Sequence, residues 1–377
     1  MLCREGPVGG WPLAGAIRHG GGIMTEKEKR LTIWYEEMDG SDYPLVGKKN
    51  ANLGEMIKAG IPVAPGFAIT IYANDRFISE TGIKAELSKK LPELGEVDYD
   101  TAKEASEFAI RLIEDATMPP DLQEAILSEY RKLMSRYPAS QCPVAVRSSG
   151  SVSMPGQMET YLNICGEKDV VGYVKKCWSS AYNVEAIMYR MNKGMPFLFN
   201  IGVGIPRMVN SRVSGIIFTI NPVNGDPSKI SIDASCGLGE AVVSGIVTPD
   251  TYLIDKITME PIKTTVGSKE IQCVYRENGS DIVQAPVPEE KRCVLCLSRQ
   301  EMLELARVGK LIEDYYGKAY DIEFGIDSDV PFPENIVILQ VRPESVWSKK
   351  EVVAKTEKKR DPMERILSQL LTGIKLK

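Results

Sequence analysis

From Thr32 to Tyr72 the apolar positions switch between a strand-like and a helix-like period. The run Gly47-Lys48-Lys49-Asn50 predicts a helix entrance with Asn50 as N-cap, Leu53, Met56 and Ile57 on one face, and Gly60 as the stop. A strand is expected over residues 66–71. Residues 74–136 read as charged amphipathic helices interrupted at Pro92 and at Pro119-Pro120, a scaffold rather than a site. At residues 143–147 a short apolar strand delivers Arg147 into a polar, serine- and glycine-rich loop over 148–158. Beyond Arg207-Met208-Val209 the pattern predicts strands over 214–219 and 231–234, then a turn at Gly237-Leu238-Gly239-Glu240. Two apolar runs, 321–326 and 336–342, flank an acidic, proline-bearing loop and suit an antiparallel hairpin.

After Trp347 comes a lysine-rich linker, and Met363, Ile366, Leu367, Leu370, Leu371 and Ile374 then fall on one helical stripe. Such a stripe must be buried, against its own lobe or against another chain, and the second is the expectation here. The organisation expected is a lobe over 24–205, a second lobe over 206–347 carrying the hairpin, and a linker with an amphipathic helix over 348–377. Residues 1–23 fit no period. They hold seven glycines, end in Gly20-Gly21-Gly22-Ile23 before Met24, and are expected to lie outside the fold, with Met24 as the true start and the glycine codons a translated ribosome-binding region.

Composition narrows the function classes. An apolar content of 43% in 377 residues supports the cores that two lobes require. A net charge of −5 without a basic stripe argues against a nucleic-acid partner. No apolar run reaches the roughly 20 residues of a membrane span, and the N-terminus has no continuous apolar segment, so a cytoplasmic protein without membrane attachment is expected. Eight scattered cysteines argue against a disulfide framework, and the lone Cys293-x-x-Cys296, without a second pair, reads as a packed strand or turn. The single histidine, His19, stands in the segment outside the expected fold.

The hairpin carries the strongest chemistry. Side chains alternate along a strand, so Asp321 and Glu323 share a face, and Ile338, Gln340 and Arg342 share a face opposite Val337, Leu339 and Val341. If the polar faces coincide, a carboxylate, an amide oxygen and a guanidinium meet, a set suited to Mg²⁺ bridging phosphate oxygens. A surface hairpin with an ion pair would give the same pattern. Lys49 at a helix entrance suits an anion, as would any solvated surface lysine, and Arg147 beside its loop suits a phosphate or a neighbouring carboxylate.

Taken in order, several segments resemble the ATP-binding N-terminal domain of phosphoenolpyruvate synthase and pyruvate phosphate dikinase. They are Leu45-Val46-Gly47-Lys48-Lys49-Asn50-Ala51-Asn52-Leu53-Gly54-Glu55-Met56, Ala145-Val146-Arg147-Ser148-Ser149, Met154-Pro155-Gly156-Gln157-Met158-Glu159-Thr160, Gly215-Ile216-Ile217-Phe218-Thr219, Gly237-Leu238-Gly239-Glu240-Ala241-Val242-Val243, Val247-Thr248-Pro249-Asp250, Asp321-Ile322-Glu323-Phe324 and Leu339-Gln340-Val341-Arg342. The resemblance implies an α+β ATP-grasp fold whose two lobes clasp ATP and Mg²⁺. Lys49 and Arg147 would hold phosphates, Glu323 and Gln340 would bind Mg²⁺, and Arg342 would stabilise the transferring phosphoryl group, making Lys49, Arg147 and Arg342 the catalytic set. Glu240 and Asp321 match positions near the nucleotide, and Met208 and Val209 the adenine-side hinge. Where the family often has glutamine two residues before that Met-Val, this chain has Pro206, which offers neither a side-chain amide nor a backbone donor.

In the family, ATP gives its β-phosphoryl group to a histidine on a separate swivelling domain and leaves as AMP and phosphate. Neither that domain nor the barrel that completes the reaction is recognisable here, so a two-component phosphotransferase with a separate histidine-bearing subunit and a small-molecule phosphoryl acceptor is expected. As a stand-alone chain it resembles the ATP-binding subunit of phenylphosphate synthase, with phenol as acceptor. The alternatives are a split phosphoenolpyruvate synthase acting on pyruvate, a non-catalytic ATP-binding module, and an ATP-grasp carboxylate ligase, which would release ADP.

Overall fold

A computed structural model describes residues 24–90, 98–136, 143–152, 158–275 and 282–347. His19, Cys3, Pro92, Cys142, the Met154-Pro155-Gly156-Gln157 part of the loop, and the linker and helix expected over 348–377 lie outside the described residues. Backbone contacts divide the chain into two units, the first running to Met208 and taking in Tyr275, the second holding Val209–Val274 and the chain from Ile282 onward.

The first unit is built from β1 (Thr32–Trp34), α1 (Tyr43–Val46), α2 (Lys48–Lys58), β2 (Gly66–Ile69), α3 (Ile71–Glu80), α4 (Ile83–Lys90), α5 (Tyr99–Asp115), α6 (Pro120–Ser135), β3 (Val144–Ser149), β4 (Thr160–Ile164), α7 (Glu167–Ser180), α8 (Val184–Asn192) and β5 (Gly202–Pro206). Its five strands form an antiparallel sheet in the order β1-β2-β5-β3-β4. The strand expected over 66–71 is shorter, because the Thr70 hydroxyl accepts the Ala73 N–H and caps α3. On one face Phe67, Val146, Val203 and Ile205 pack with Phe77, Trp178 and the apolar stripes of α5, α6 and α7. On the other, Ile33, Tyr35, Met38, Val46, Ala51 and Ala68 form a smaller cluster that seats α2. The charged helices of residues 74–136 are therefore the large core's cover, as their amphipathic spacing predicts.

The second unit holds β6 (Ser211–Phe218), β7 (Lys229–Cys236), α9 (Glu240–Val243), β8 (Asp250–Asp255), β9 (Pro261–Thr265), β10 (Ile271–Tyr275), β11 (Ile282–Pro286), α10 (Glu289–Arg292), α11 (Arg299–Tyr316), β12 (Tyr320–Asp327) and β13 (Ile336–Pro343). A six-stranded antiparallel sheet runs β13-β12-β6-β7-β8-β9, and β10 pairs with β11. The helix α11 starts at a reciprocal cap in which Ser298 accepts the Glu301 N–H while Glu301 accepts the Ser298 N–H, and it ends at left-handed Gly317. Its buried stripe, Met302, Leu305, Ala306, Val308 and Ile312, covers the sheet face formed by Ile217, Ile232, Ile322 and Phe324. That leaves the opposite face, with half-buried Ile216, Phe218, Asp233, Thr251, Asp321 and Glu323, free of α11.

Asp250 serves the frame. One carboxylate oxygen accepts from fully buried Lys269 and from the Gly267 N–H, and the other accepts the Cys296 N–H at 2.7 Å. The Cys293-x-x-Cys296 segment is thus a turn held to the start of β8, and among the described residues no group of three or more His, Cys, Asp or Glu could hold a metal.

Candidate functional site

In the first unit the site residues meet where β3 ends against α2. Gly47 precedes the helix at φ +81°, and a Cβ there would stand 1.9 Å from the Ser149 carbonyl oxygen, so only glycine permits the two segments to touch. The Lys48 N–H donates to the Gly150 carbonyl at 3.0 Å and the Asn50 N–H to the Ser149 hydroxyl at 3.2 Å. This corrects the expected cap. The helix begins at Lys48, two residues before Asn50, whose amide instead donates back to the Val46 carbonyl at 2.8 Å. Two of the helix's open N–H groups are taken by the β3 loop, which leaves anion binding to the side chains more than to the helix end.

Arg147 pairs with Gly204 of β5, and residues paired in register point to the same face. A side chain at Gly204 would meet the Asn50 amide oxygen at 2.4 Å and the Tyr35 hydroxyl at 2.8 Å, so Arg147 shares the α2 face with both. The Tyr35 hydroxyl is buried without a hydrogen-bond partner among the described residues. Lys49 retains exposed surface, yet protein atoms crowd its ammonium. That desolvation, and next the positive charge of Arg147, lower its pKa. Two cations therefore stand near each other. Substituting Gly47→Ala is expected to unfold or separate this junction, because the clash is with backbone and cannot be relieved by a rotamer. A loss of thermal stability together with loss of nucleotide binding checks it, and an unaltered melting curve would contradict it.

In the second unit β12 and β13 pair antiparallel, with Asp321 opposite Arg342 and Glu323 opposite Gln340. The polar faces coincide as the alternation predicts. The register then shifts at Leu339, so that Phe324 pairs with Ile338. This overturns the expected sharing of a face by Ile338, Gln340 and Arg342: one extra residue in a strand reverses the side chains beyond it, and Ile338 turns to the core with buried Phe324. The bulge separates an apolar half of β13 from a polar half at the site.

The Arg342 guanidinium lies 3.8 Å from the Glu323 carboxylate, with Arg342 66% and Glu323 28% exposed. So long and open a pair holds neither group firmly. Asp321 is half-buried with one oxygen lacking a hydrogen bond among the described residues. Burial first, and the nearby Glu344 carboxylate second, raise its pKa, while Arg342 opposes them. The donor set of Glu323 carboxylate and Gln340 amide oxygen fits a hard cation that completes its shell from phosphates and water. The other expected residues lie on other elements. Glu240 stands exposed at the start of α9, close enough to Cys273 to raise its thiol pKa after burial. Met208 belongs to the first unit, where its N–H donates to the Pro143 carbonyl, and Val209 is buried in the second. Pro206 ends β5 opposite Gly66.

The sequence reading passed over Ser214, Asp233 and Ser235. They occupy the same open sheet face as Glu323, and each has a buried oxygen with no hydrogen-bond partner among the described residues. The signal was present in Ser231-Ile232-Asp233-Ala234-Ser235, whose strict alternation puts every polar side chain on one face.

The family model for the pyruvate phosphate dikinase AMP/ATP-binding domain matches residues 43–363. The chain belongs to that family. Among curated proteins it is 40% identical to a probable phosphoenolpyruvate synthase of Staphylothermus marinus, over 88% of this chain and 43% of the relative. It is 38% identical to the phosphoenolpyruvate synthase of Aeropyrum pernix, over 88% of this chain and 44% of the relative. It is also 38% identical to a probable phosphoenolpyruvate synthase of Methanocaldococcus jannaschii, over 87% of this chain and 28% of the relative. The chain thus spans less than half the length of these relatives. Membership gives the AMP/ATP-binding domain a nucleotide as ligand, and the matched range holds both residue groups, Lys49 with Arg147 and Glu323 with Gln340 and Arg342. No helix among the described residues is long and apolar enough to cross a membrane.

Proposed function

We propose that this AMP/ATP-binding domain is the ATP-cleaving component of a phosphoenolpyruvate synthase-type phosphotransferase, an ATP-grasp domain acting on Mg²⁺-bound ATP. The single observation that carries this is the β12–β13 register, which sets Glu323 against Gln340 and Asp321 against Arg342 on one face. Mg²⁺, when bound, neutralises phosphate charge and fixes the geometry of displacement. Glu323 and Gln340 would hold it. Arg342, loosely paired, is free to turn its planar fork onto the moving phosphoryl group, while Lys49 and Arg147 would take the remaining phosphate oxygens. Burial and the Arg147 charge lower the Lys49 pKa, and the negative charge of a bound polyphosphate would act in the opposite direction.

The β-phosphoryl acceptor in this reading is a histidine on a separate subunit, which also carries the site for a small-molecule acceptor. The chain's single histidine, His19, lies outside the described residues. Phenol, as in phenylphosphate synthase, is one candidate for the final acceptor. The relatives' naming as phosphoenolpyruvate synthases favours the pyruvate-type reaction over it. Product analysis tests the proposal. With MgATP and a histidine-bearing acceptor protein the chain is expected to yield AMP and phosphate, and to bind MgATP but make little AMP without that protein. Release of ADP would mark a ligase or simple kinase instead.

A further inference from the structure

β13 is the edge strand of its sheet, paired on one side by β12. Arg342 is the penultimate residue of that strand, and its long, open contact with Glu323 leaves its bearing to the backbone that carries it. Pro343 follows and, without an N–H, cannot donate a ladder bond to β12. Strand ends of this kind fray first. Here the chain beyond Pro343 is fastened by a run of polar contacts. The Glu344 N–H donates at 2.9 Å to the carbonyl of Ala319, just before β12. The buried Glu344 carboxylate accepts the Val346 N–H and, at 2.8 Å, the Trp347 N–H, which folds 344–347 into a turn. That turn brings the Trp347 indole to the loop between β6 and β7, where its N–H donates to the Pro222 carbonyl at 3.1 Å. The ring lies on Gly225. A Cβ there would stand 2.5 Å from the ring's Cε3 atom, and the φ of +75° also favours glycine. The loop is closed by the Gly225 N–H on the Asn221 carbonyl at 2.8 Å and by the Asn221 N–H on the Asp226 carbonyl at 3.1 Å.

Resting on the nucleotide reading above, we infer that Trp347 is a positioning residue for Arg342. Its indole, seated on Gly225, ties the open end of β13 to the β6–β7 loop and so fixes the direction from which the Arg342 guanidinium meets the phosphates. Two observations favour this role over plain packing. Trp347 is half-buried against a loop glycine, so removing its ring opens no cavity in the core beside α11. The tie is polar at both ends, the Glu344 carboxylate holding its backbone and the Pro222 carbonyl its side chain, which sets a direction as well as a contact. Glu344 links the two, since the residue that holds the Trp347 N–H also makes the first backbone bond after Arg342 and Pro343. Slack at Trp347 therefore reaches the exposed arginine without disturbing the register of Glu323 and Gln340 further along the strands.

Calorimetric titration of the full chain with MgATP and with AMP tests the inference, in wild type, Trp347→Ala, Arg342→Ala and the double variant. AMP lacks the β- and γ-phosphates, so it reports the nucleotide site without the groups that Arg342 would grip. Trp347→Ala is expected to weaken MgATP binding by about tenfold, the effect of one charge-assisted hydrogen bond, while AMP affinity stays within about twofold of wild type. In the Arg342→Ala background the same substitution costs nothing further, because a residue that acts through Arg342 then has nothing to position. Should Trp347→Ala melt below the assay temperature, Trp347→Phe, which keeps a ring on Gly225 and removes the indole donor, carries the same cycle with the same pattern at smaller size. Equal losses for MgATP and AMP overturn the inference and make Trp347 a structural residue. So does an MgATP loss undiminished in the Arg342→Ala background, or wild-type affinity for both ligands in the folded Trp347 variant. Wild-type MgATP affinity in Arg342→Ala overturns instead the role given to Arg342 above, and this inference with it.

Discussion

Glu323→Ala and Gln340→Ala are each expected to lower Mg²⁺-dependent ATP cleavage by about a hundredfold or more, with the fold unchanged. The two residues face each other across β12 and β13, on a sheet whose core side is filled by Ile322, Phe324 and Ile338, so neither variant opens a cavity. What each removes is an oxygen ligand from the proposed two-residue donor set. The loss therefore falls on turnover and on Mg²⁺-dependent binding. Circular dichroism should match wild type, and AMP formation with the acceptor protein reports the effect. A folded variant with near-wild-type AMP formation would remove Glu323 or Gln340 from the metal site.

Arg342→Lys is expected to cost about as much, although it keeps the charge. Arg342 is 66% exposed and only loosely paired with Glu323, so its role in the empty protein is small and the substitution should leave stability unchanged. In the proposed site its planar fork would grip two phosphate oxygens at once, which an ammonium cannot do. Arg147→Lys should act in the same direction. There the replacement also shortens a side chain that shares its face with Lys49, Asn50 and Tyr35, so weaker ATP binding should accompany slower turnover. Unchanged kinetic constants in both variants would move the arginines to a structural role.

Much of this was legible in the residues. The alternation of Asp321-Ile322-Glu323-Phe324 against Leu339-Gln340-Val341-Arg342 specified a polar face without coordinates, because a strand's period is two. What alternation could not give was the bulge at Leu339, where the register shift sends Ile338 to the core. A bulge depends on how two strands accommodate each other, and neither strand's pattern announces it. The start of α2 was misplaced for a related reason. Asn50 has the side chain of a cap, but the Lys48 and Asn50 N–H groups find partners at Gly150 and Ser149, about a hundred residues away in sequence. Asp233 was passed over because a single carboxylate in an apolar strand looks ordinary until the register aligns it with Glu323.

The central claim, that these residues cleave ATP for transfer of its β-phosphoryl group, is tested most directly by following label. The full chain is incubated with Mg²⁺, the histidine-bearing acceptor protein and ATP labelled at either the β- or the γ-phosphorus. The account predicts that β-label becomes acid-labile phosphohistidine on the acceptor, that γ-label appears as inorganic phosphate, and that AMP is the nucleotide product. Transfer of γ-label to protein with release of ADP would contradict it.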